Sequence, residues 1–526
     1  MMPIQTGINR DQLEFNSLES LVDSDSEVRV IDLFLDIVDY DDLGFTNKGS
    51  SHEGRPAFAA DVLLGIYMYG YLNQIRSSRK LERACRRNVE LWWLTGKQMP
   101  GYKTLSDFRK DNKKALNNLF AFFRDFCKDI ELLGGKTVAI DGSKFRAQNS
   151  KKNNFNPNKI LRQLAYIEKK RMDYLEQLSL ADQQEERLEI ESRLQELNDR
   201  QSGYENLDRE LKESGDTQIS TTDSDSRALP LHMNIVEVGY NVQTTVDDKH
   251  NLILDYEVTN EKDDYALFEM SGRALDLTHE LDTGPLTVLA DKGYHTGEEL
   301  HHCEQIEELE TLVSPKAYSP KNKSSYGKEK FTYEAEKDVY RCPAGEELST
   351  NGKWHTHAGK NRKARTVKRY RLKYSECSTC PHYESCVPPG ARANKQGKTI
   401  LRSKYADAVA ANKQRVSERK EEYRRRQAIV EAYQRGPFTP LMRFGTIKRQ
   451  WGYSYTLLRG KEKVQGEFGL IYLCYNFKRL FQILGLKGLK DALEARIFNF
   501  MGKMNTTVAL VAHKSKIYIF PILRHE

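Results

Sequence analysis

The chain has 526 residues, 39% of them hydrophobic, with 82 Lys and Arg against 75 Asp and Glu, a formal net charge of +7. Such a length admits roughly two to four domains and such an apolar share fills real cores, which excludes a disordered chain. No apolar run reaches the ~18 residues of a membrane span, the opening MMPIQTGINRDQLEF lacks the order of a secretory leader, and eight cysteines are too few for a disulfide scaffold. A cytoplasmic protein without a membrane partner is expected.

From 25 to 130, apolar and basic positions alternate at helical spacing, as in FAADVLLGIYMYGYLNQIRSSRKLERACRRNVELWWLTG, with Pro56 near one helix start and Gly96 past a later end. This predicts a helical domain over 1–130. Trp92 and Trp93 are expected in its core. Arg76, Arg79, Lys80, Arg83, Arg86 and Arg87 are candidates for DNA phosphate contact, and Ser106 is read as the cap of a further helix. In GGKTVAIDGSKFRAQNS a short β-rich run then ends in Asp141, followed by Gly142 and Ser143.

Between 150 and 226 the chain is polar and strongly helical, with Ile160, Leu164, Ile167, Tyr174 and Leu178 on one face and Ile190, Leu194, Leu197, Tyr204 and Leu211 on another. A two-helix hairpin is predicted, suited to dimerisation, to DNA contact or to filling a long crossover. VGYNVQTTVDD and LILDYEVTN, parted by the turn-like DDKHN, read as an antiparallel hairpin. A helix near YALFEMSGRALDLTHEL follows, and the apolar strand of VLADKGYHTGEEL ends in Asp291. The expectation is an α/β core with a mixed sheet flanked by helices.

Asp141 and Asp291 share one grammar. A strand apolar to its last residue is buried on both faces, and a charge at its carboxyl end sits where open α/β sheets place ligands. Capping of the next turn is the plainer reading of either aspartate alone. Their separation of 150 residues excludes one local cap serving both. Two carboxylates brought together repel unless a cation lies between them, and magnesium or manganese, hard ions that take oxygen ligands, suit such a pair. The chemistry implied is two-metal phosphoryl transfer. For a third acid, Glu431 is the first choice, following Ile429 and Val430 on a basic helix. Glu462 and Glu467 are the alternatives, Glu467 being equally suited to pair with a helix dipole.

Cys342 in YRCPAGEEL and Cys377, Cys380 and Cys386 in KYSECSTCPHYESCV place four thiols in one segment, two at C-x-x-C spacing. This predicts a structural zinc module over 342–399. Cys85, Cys127, Cys303 and Cys474 are left to the core. The stretch from Lys395 to Lys463, with Arg424, Arg425, Arg426, Lys448, Arg449 and Arg459 among its cations, suits a polyanion, although a solvated helix face reads the same way.

AIDGSKFRAQNS, VLADKGYHTGEEL, FGTIKRQWGYSYTLLRGKEKVQGEF and the opening CRRNVELWWLTGK with YKTLSDFRKDN together resemble bacterial insertion-sequence transposases of the DDE, RNase H-like type, over about residues 25 to 485. The resemblance implies an RNase H-like catalytic domain of 131–149, 227–341 and 400–485, followed by a tail of 486–526. It implies a Mg²⁺-binding triad of Asp141, Asp291 and Glu431 that cuts double-stranded DNA at terminal inverted repeats and joins 3′ ends to target DNA. Tyr423, Arg426 and Lys448, with Arg449 and Arg459 of the basic stripe, would contact DNA. A homodimer on DNA, in the bacterial nucleoid, goes with it. Relatives carry a Tyr-x-x-Arg-x-x-x-Glu-x-x-x-x-x-x-Lys helix. Here one extra residue stands between Arg426 and Glu431, Phe438 takes the place of the Lys, and about ten residues containing Pro437 and Pro440 part Glu431 from FGTIKR. Two rival readings stay beside transposition: a metal nuclease without strand transfer, and a DNA-binding relic impaired at its third acid.

Overall fold

The computed structural model describes residues 11–13, 15–46, 57–230, 235–261, 266–281, 284–316, 326–357, 364–434 and 446–503, without the side chains of 427, 428, 430–434, 449 and 499–503. They form two compact units, one from Met1–Gly134, Gly142–Lys262 and Val430–Glu526, the other from Gly135–Asp141 and Asp263–Ile429.

The first unit holds the amino-terminal helices. Glu27–Asp36 starts at Ser26, whose side chain accepts from the Val28 N–H, and it buries Val28, Ile31, Phe34 and Leu35. Ala60–Leu72 is apolar around its whole circumference and is buried on nearly every side, as such a helix must be. Lys113–Asp129 packs against the long helical segment Lys461–Lys503, which is broken into two helices at Gly485 (φ 68°), and there the Phe34 ring lies 5.4 Å from Phe123 and 5.5 Å from Phe477. Gly466 allows the two helices to touch, since a Cβ there would lie 2.6 Å from the Lys113 carbonyl oxygen. Asp223 and Asp225 hold the start of the long helix, accepting from the Gly460 N–H at 3.0 Å and the Lys461 N–H at 2.7 Å, where unpaired donors favour carboxylates.

Three readings of this region change. Tyr102–Asp111 starts at Gly101, so Ser106 lies inside the helix and caps nothing. Trp92 and Trp93 are only half-buried, because each indole N–H reaches a partner at the rim: the Cys85 carbonyl at 2.8 Å and Glu19 at 2.7 Å. Arg76, read as a phosphate contact, is buried in an ion pair described below.

The polar insertion forms helices Pro157–Leu180 and Gln184–Ser214, packed through Ile160, Ile167, Ile190, Leu197 and Leu211. Asn156 caps the first, accepting from the Lys159 N–H at 2.8 Å, with Pro157 in the first turn. The predicted hairpin is Val236–Asp247 paired antiparallel with Ile253–Thr259, Val242 opposite Val258. Arg227–Pro230 also pairs with Val236–Asp247. The end of the strand Thr137–Arg146 runs close by, so that a Cβ on Gly239 would stand 2.0 Å from the Phe145 carbonyl oxygen. Asn476 clamps Ile253 by bonds to its N–H at 2.9 Å and its carbonyl at 2.8 Å.

In the second unit, Thr137–Asp141, Leu286–Ala290 and Leu309–Val313 are neighbouring parallel strands. Helix Gly297–Cys303 crosses between the last two, and Leu286–Ala290 is buried throughout, as expected of a parallel strand. With the antiparallel pairs above, the fold is α/β with mixed pairing. Asn412, on helix Ala406–Glu418, clamps the backbone of Val313 by bonds of 2.9 and 2.8 Å.

The cysteine-bearing region is a five-stranded antiparallel sheet, in the order Thr399–Ser403, Arg365–Arg371, Glu347–His357, Val339–Arg341, Thr332–Glu334. It reaches beyond the expected 342–399 at both ends, because its outer strands are those that complete the pairing. Phe331, Tyr340, Leu348, Tyr370, Leu372, Cys377 and Ile400 form its core.

Candidate active site

Ile140 pairs with Ala290 in the parallel register, so Asp291, just past the end of Leu286–Ala290, and Asp141 each follow one member of that pair. Asp141 does not end its strand as expected but lies inside it, because the pairing of its second half carries the strand on to Arg146. Parallel neighbours lie ~4.8 Å apart. The backbone positions that follow the pair are therefore brought near one another, although 150 positions of sequence part them. The driving force is the burial of Val138, Ala139, Ile140, Val288, Leu289 and Ala290, all fully enclosed. A slip of one residue would turn every side chain to the other face.

Asp141 is buried at 9% exposure, and Asp291 is half-buried. Asp291 Oδ1 accepts from the Gly293 N–H at 2.6 Å, closing the turn Asp291–Tyr294. The plain capping role is therefore real, and it leaves Oδ2 for other work. On helix Lys420–Gln434, Arg426 places Nη2 3.4 Å from Asp141 Oδ2, with the side chains 13% and 12% exposed. Its Nε is buried without a hydrogen-bond partner among the described residues. Such a donor costs roughly 1–3 kcal/mol unless an acceptor arrives. His295 follows the same turn and also keeps a buried Nε2 without a partner. Burial, opposed by a backbone hydrogen bond and aided by the charge of Lys316, holds His295 below its ordinary value.

The other expected residues are placed as follows. Tyr423 precedes Arg426 by one helical turn on the same face and is half-buried. Glu431 lies in the same helix, Lys420–Gln434, but its carboxylate is outside the described residues. At ~100° per residue, the extra position turns Glu431 about 140° away from Arg426, where one residue fewer would give about 40°. Lys448 is occupied locally: its Nζ donates to the Lys144 carbonyl at 2.7 Å and stands 4.2 Å over the Phe145 ring. Arg459 is exposed, and the Arg449 side chain lies outside the described residues.

The two alternative third acids have other partners. Glu462 is exposed and pairs with Lys113. Glu467 is fully buried, accepts from the N–H groups of Leu457 and Leu458 at 2.9 Å, and faces Arg76 Nη1 at 3.5 Å. Arg76 in turn lies between the rings of Tyr453 at 4.6 Å and Tyr455 at 4.7 Å. This removes Arg76 from the DNA-facing set, because a guanidinium so enclosed has no access to a phosphate. Two aromatic residues in WGYSYTLL were the only hint of it in the sequence.

The four cysteines of the small sheet are near one another. Burial pushes the Cys377 thiol up, against a hydrogen bond from the Lys398 N–H, and Cys342 and Cys380 add to the rise. Cys386 is likewise raised by burial, with Lys398 opposing and Cys377, Cys342 and Cys380 contributing. The backbone of Cys342 turns tightly, with its carbonyl accepting from Gly345 at 2.9 Å. Even so, among the described residues no three His, Cys, Asp or Glu side chains stand as a metal-holding group. No described helix is long and apolar enough to cross a membrane.

Residues 16–111 match a family model described as Transposase domain (DUF772), and residues 341–481 match one described as Transposase DDE domain. The second match takes in three strands of the small sheet, the Arg426 helix and the first half of Lys461–Lys503, and reaches neither Asp141 nor Asp291. No curated protein matches the chain. A cryo-EM structure of a piggyBac transposase synaptic complex with hairpin DNA aligns with 92% of this chain and 84% of its own at 7% identity, with a TM-score of 0.32. That likeness is too slight to bear on the fold. A transposase domain over 16–111 and a transposase DDE domain over 341–481 together support an insertion-sequence DDE transposase, a DNA transposase.

Proposed function

We propose that the chain cuts DNA at the terminal inverted repeats of its element and joins the 3′ ends to target DNA through metal-dependent phosphoryl transfer at Asp141 and Asp291. The observation that carries this is the register of Ile140 with Ala290, which supports a shared position for two carboxylates at one sheet edge. The donors are of the kind a hard cation takes: Asp291 Oδ2 is not used by its turn, and Asp141 Oδ2, 3.4 Å from the Arg426 guanidinium, would exchange that cation for the ion. Mg²⁺ or Mn²⁺, when bound there, would supply an activated water or 3′-hydroxyl and neutralise charge on the scissile phosphate. Asp141, Asp291 and Glu431 would hold it. Tyr423, Arg426, Lys448, Arg449 and Arg459 would position DNA phosphates. His295, whose Nε2 is buried without a hydrogen-bond partner among the described residues, is held toward its neutral form by burial.

The catalytic part is read as RNase H-like, built from 131–149, 227–341 and 400–485, with 1–130 as a DNA-binding domain, 150–226 as an inserted hairpin and 486–526 as a tail. Cys342, Cys377, Cys380 and Cys386 would hold a structural zinc ion. Metal analysis of protein purified without chelator tests that point, and a zinc content near zero removes it. A homodimer on DNA and a place at the bacterial nucleoid go with this reading.

The test is cleavage of DNA carrying the element's ends. Asp141→Asn or Asp291→Asn should abolish Mg²⁺-dependent cutting while leaving DNA binding at matched salt unchanged. Near-normal cutting by either variant overturns the proposal. Joining of the cut ends to a target separates transposition from a plain metal nuclease. The third reading, a relic that binds DNA without cutting it, is favoured by the extra residue between Arg426 and Glu431, which rotates Glu431 along the helix. Wild-type protein that binds the ends but never cuts them in Mg²⁺ or Mn²⁺ would establish it.

A further inference from the structure

The region between Leu348 and Leu372 carries eight Lys and Arg and no Asp or Glu. The sheet register sorts them onto faces. Tyr370 lies opposite Ile400, and with Leu348 and Tyr340 it faces the aromatic core. Arg365, Arg369 and Arg371 alternate with Tyr370 and therefore turn the other way. On that outer face, His357 is opposite Arg365, Leu401 opposite Arg369, and Ser349 opposite Arg371. Arg365, Arg371 and His357 are exposed, Arg369 and His355 are half-exposed, and Val367 is buried at its middle. Among the described residues none of the three arginines has an acidic partner. Glu347, the nearest acid along the strand, is taken up by Arg341 at 2.7 Å.

We propose that this outer face of the antiparallel sheet is a DNA-backbone contact, in addition to the Asp141 and Asp291 edge. Uncompensated guanidinium groups on a rigid sheet lack a reason in folding, since surface cations of one sign repel. Their forked donors match phosphate. Arg369 and Arg371 stand about 7 Å apart along the strand, roughly two phosphates of one DNA strand projected on the helix axis. The contact is to phosphates and is therefore independent of sequence. It rests on the reading of the chain as a DNA-binding transposase and names a further surface for that partner.

The test measures duplex affinity of the full chain by fluorescence anisotropy across a salt series, for wild type, the triple variant Arg365→Ser/Arg369→Ser/Arg371→Ser and the corresponding triple Lys variant. The Ser variant should lose on the order of 10- to 100-fold in affinity near 0.1 M salt, and its slope of log K against log salt should fall by about 2.7, or 0.9 for each phosphate released. The Lys variant should keep the slope. Phenylglyoxal labelling of wild type, which needs no variant to fold, should show these three arginines protected by duplex DNA. An unchanged slope in the Ser variant, or no protection of the three arginines, overturns the inference while leaving the transposase reading intact. Protection by RNA but not by duplex DNA overturns the choice of partner. Absence of any DNA affinity in wild type would remove this inference and the reading beneath it together, whereas loss of cutting alone touches only the proposed chemistry.

Discussion

The Arg426 guanidinium stands 3.4 Å from the Asp141 carboxylate, with both side chains largely buried. A carboxylate so enclosed needs a cation, and the helix supplies one where a divalent ion is proposed to bind. Arg426 and the ion therefore compete for one oxygen.

Removing that arginine should have opposite effects with and without metal. Arg426→Gln takes the guanidinium away from a buried carboxylate and should cost about 1–3 kcal/mol in metal-free protein. Saturating Mg²⁺ should restore most of the loss. Urea unfolding with and without Mg²⁺ measures both. An equal loss in the two conditions would mean that Asp141 holds no ion.

The Glu467 carboxylate is a structural anchor. Glu467→Ala strips acceptors from Leu457 and Leu458 and leaves the Arg76 charge buried alone. Breaking a buried pair in this way costs about 3–5 kcal/mol, and thermal or urea unfolding should show it. Arg76→Met, which leaves Glu467 its two backbone donors, should cost less, and it should leave the salt slope of DNA binding unchanged.

Asn412 offers a cleaner case. Its amide satisfies both the N–H and the carbonyl of Val313 on the last parallel strand. Asn412→Leu should destabilise the protein by about 2–4 kcal/mol, at roughly 1–3 kcal/mol for each buried backbone group left without a partner and partial relaxation. Hydrogen exchange at Val313 should accelerate with it.

Acid should weaken the fold through His295. Burial keeps its folded value below the ordinary one, so the unfolded chain takes up a proton that the folded chain refuses. Stability from this source is complete above about 6.5, the unfolded value, and falls as pH drops below it toward the folded value. Denaturant midpoints at neutral pH and about two units lower should differ more for wild type than for His295→Gln.

Local order is readable along the chain because its causes are local. The helical hairpin shows in the spacing of Ile160, Ile167, Ile190 and Leu197, and the strand hairpin in the alternation of Val236–Asp247 and Ile253–Thr259. The two aspartates announce themselves because an apolar run closed by a carboxylate is a short-range pattern, but only Leu286–Ala290 ends there, while the strand of Asp141 runs on to Arg146. The five-stranded sheet was less legible. Its strands are short, their pairing joins Thr332 to Ser403, and cysteine spacing drew attention away from the aromatic core around Tyr370.

Sequence by itself determined which residue types stand at strand ends, which helices have an apolar face and which stretch carries unbalanced positive charge. Only the tertiary structure decided which of those charges are free. Arg76 and Arg426 look alike in sequence, yet one lies enclosed between two tyrosines over Glu467 and the other leans on Asp141. The physical reason is that a charge's role depends on what the fold packs around it. Desolvation and pairing arise from residues hundreds of positions away, and no local pattern records them.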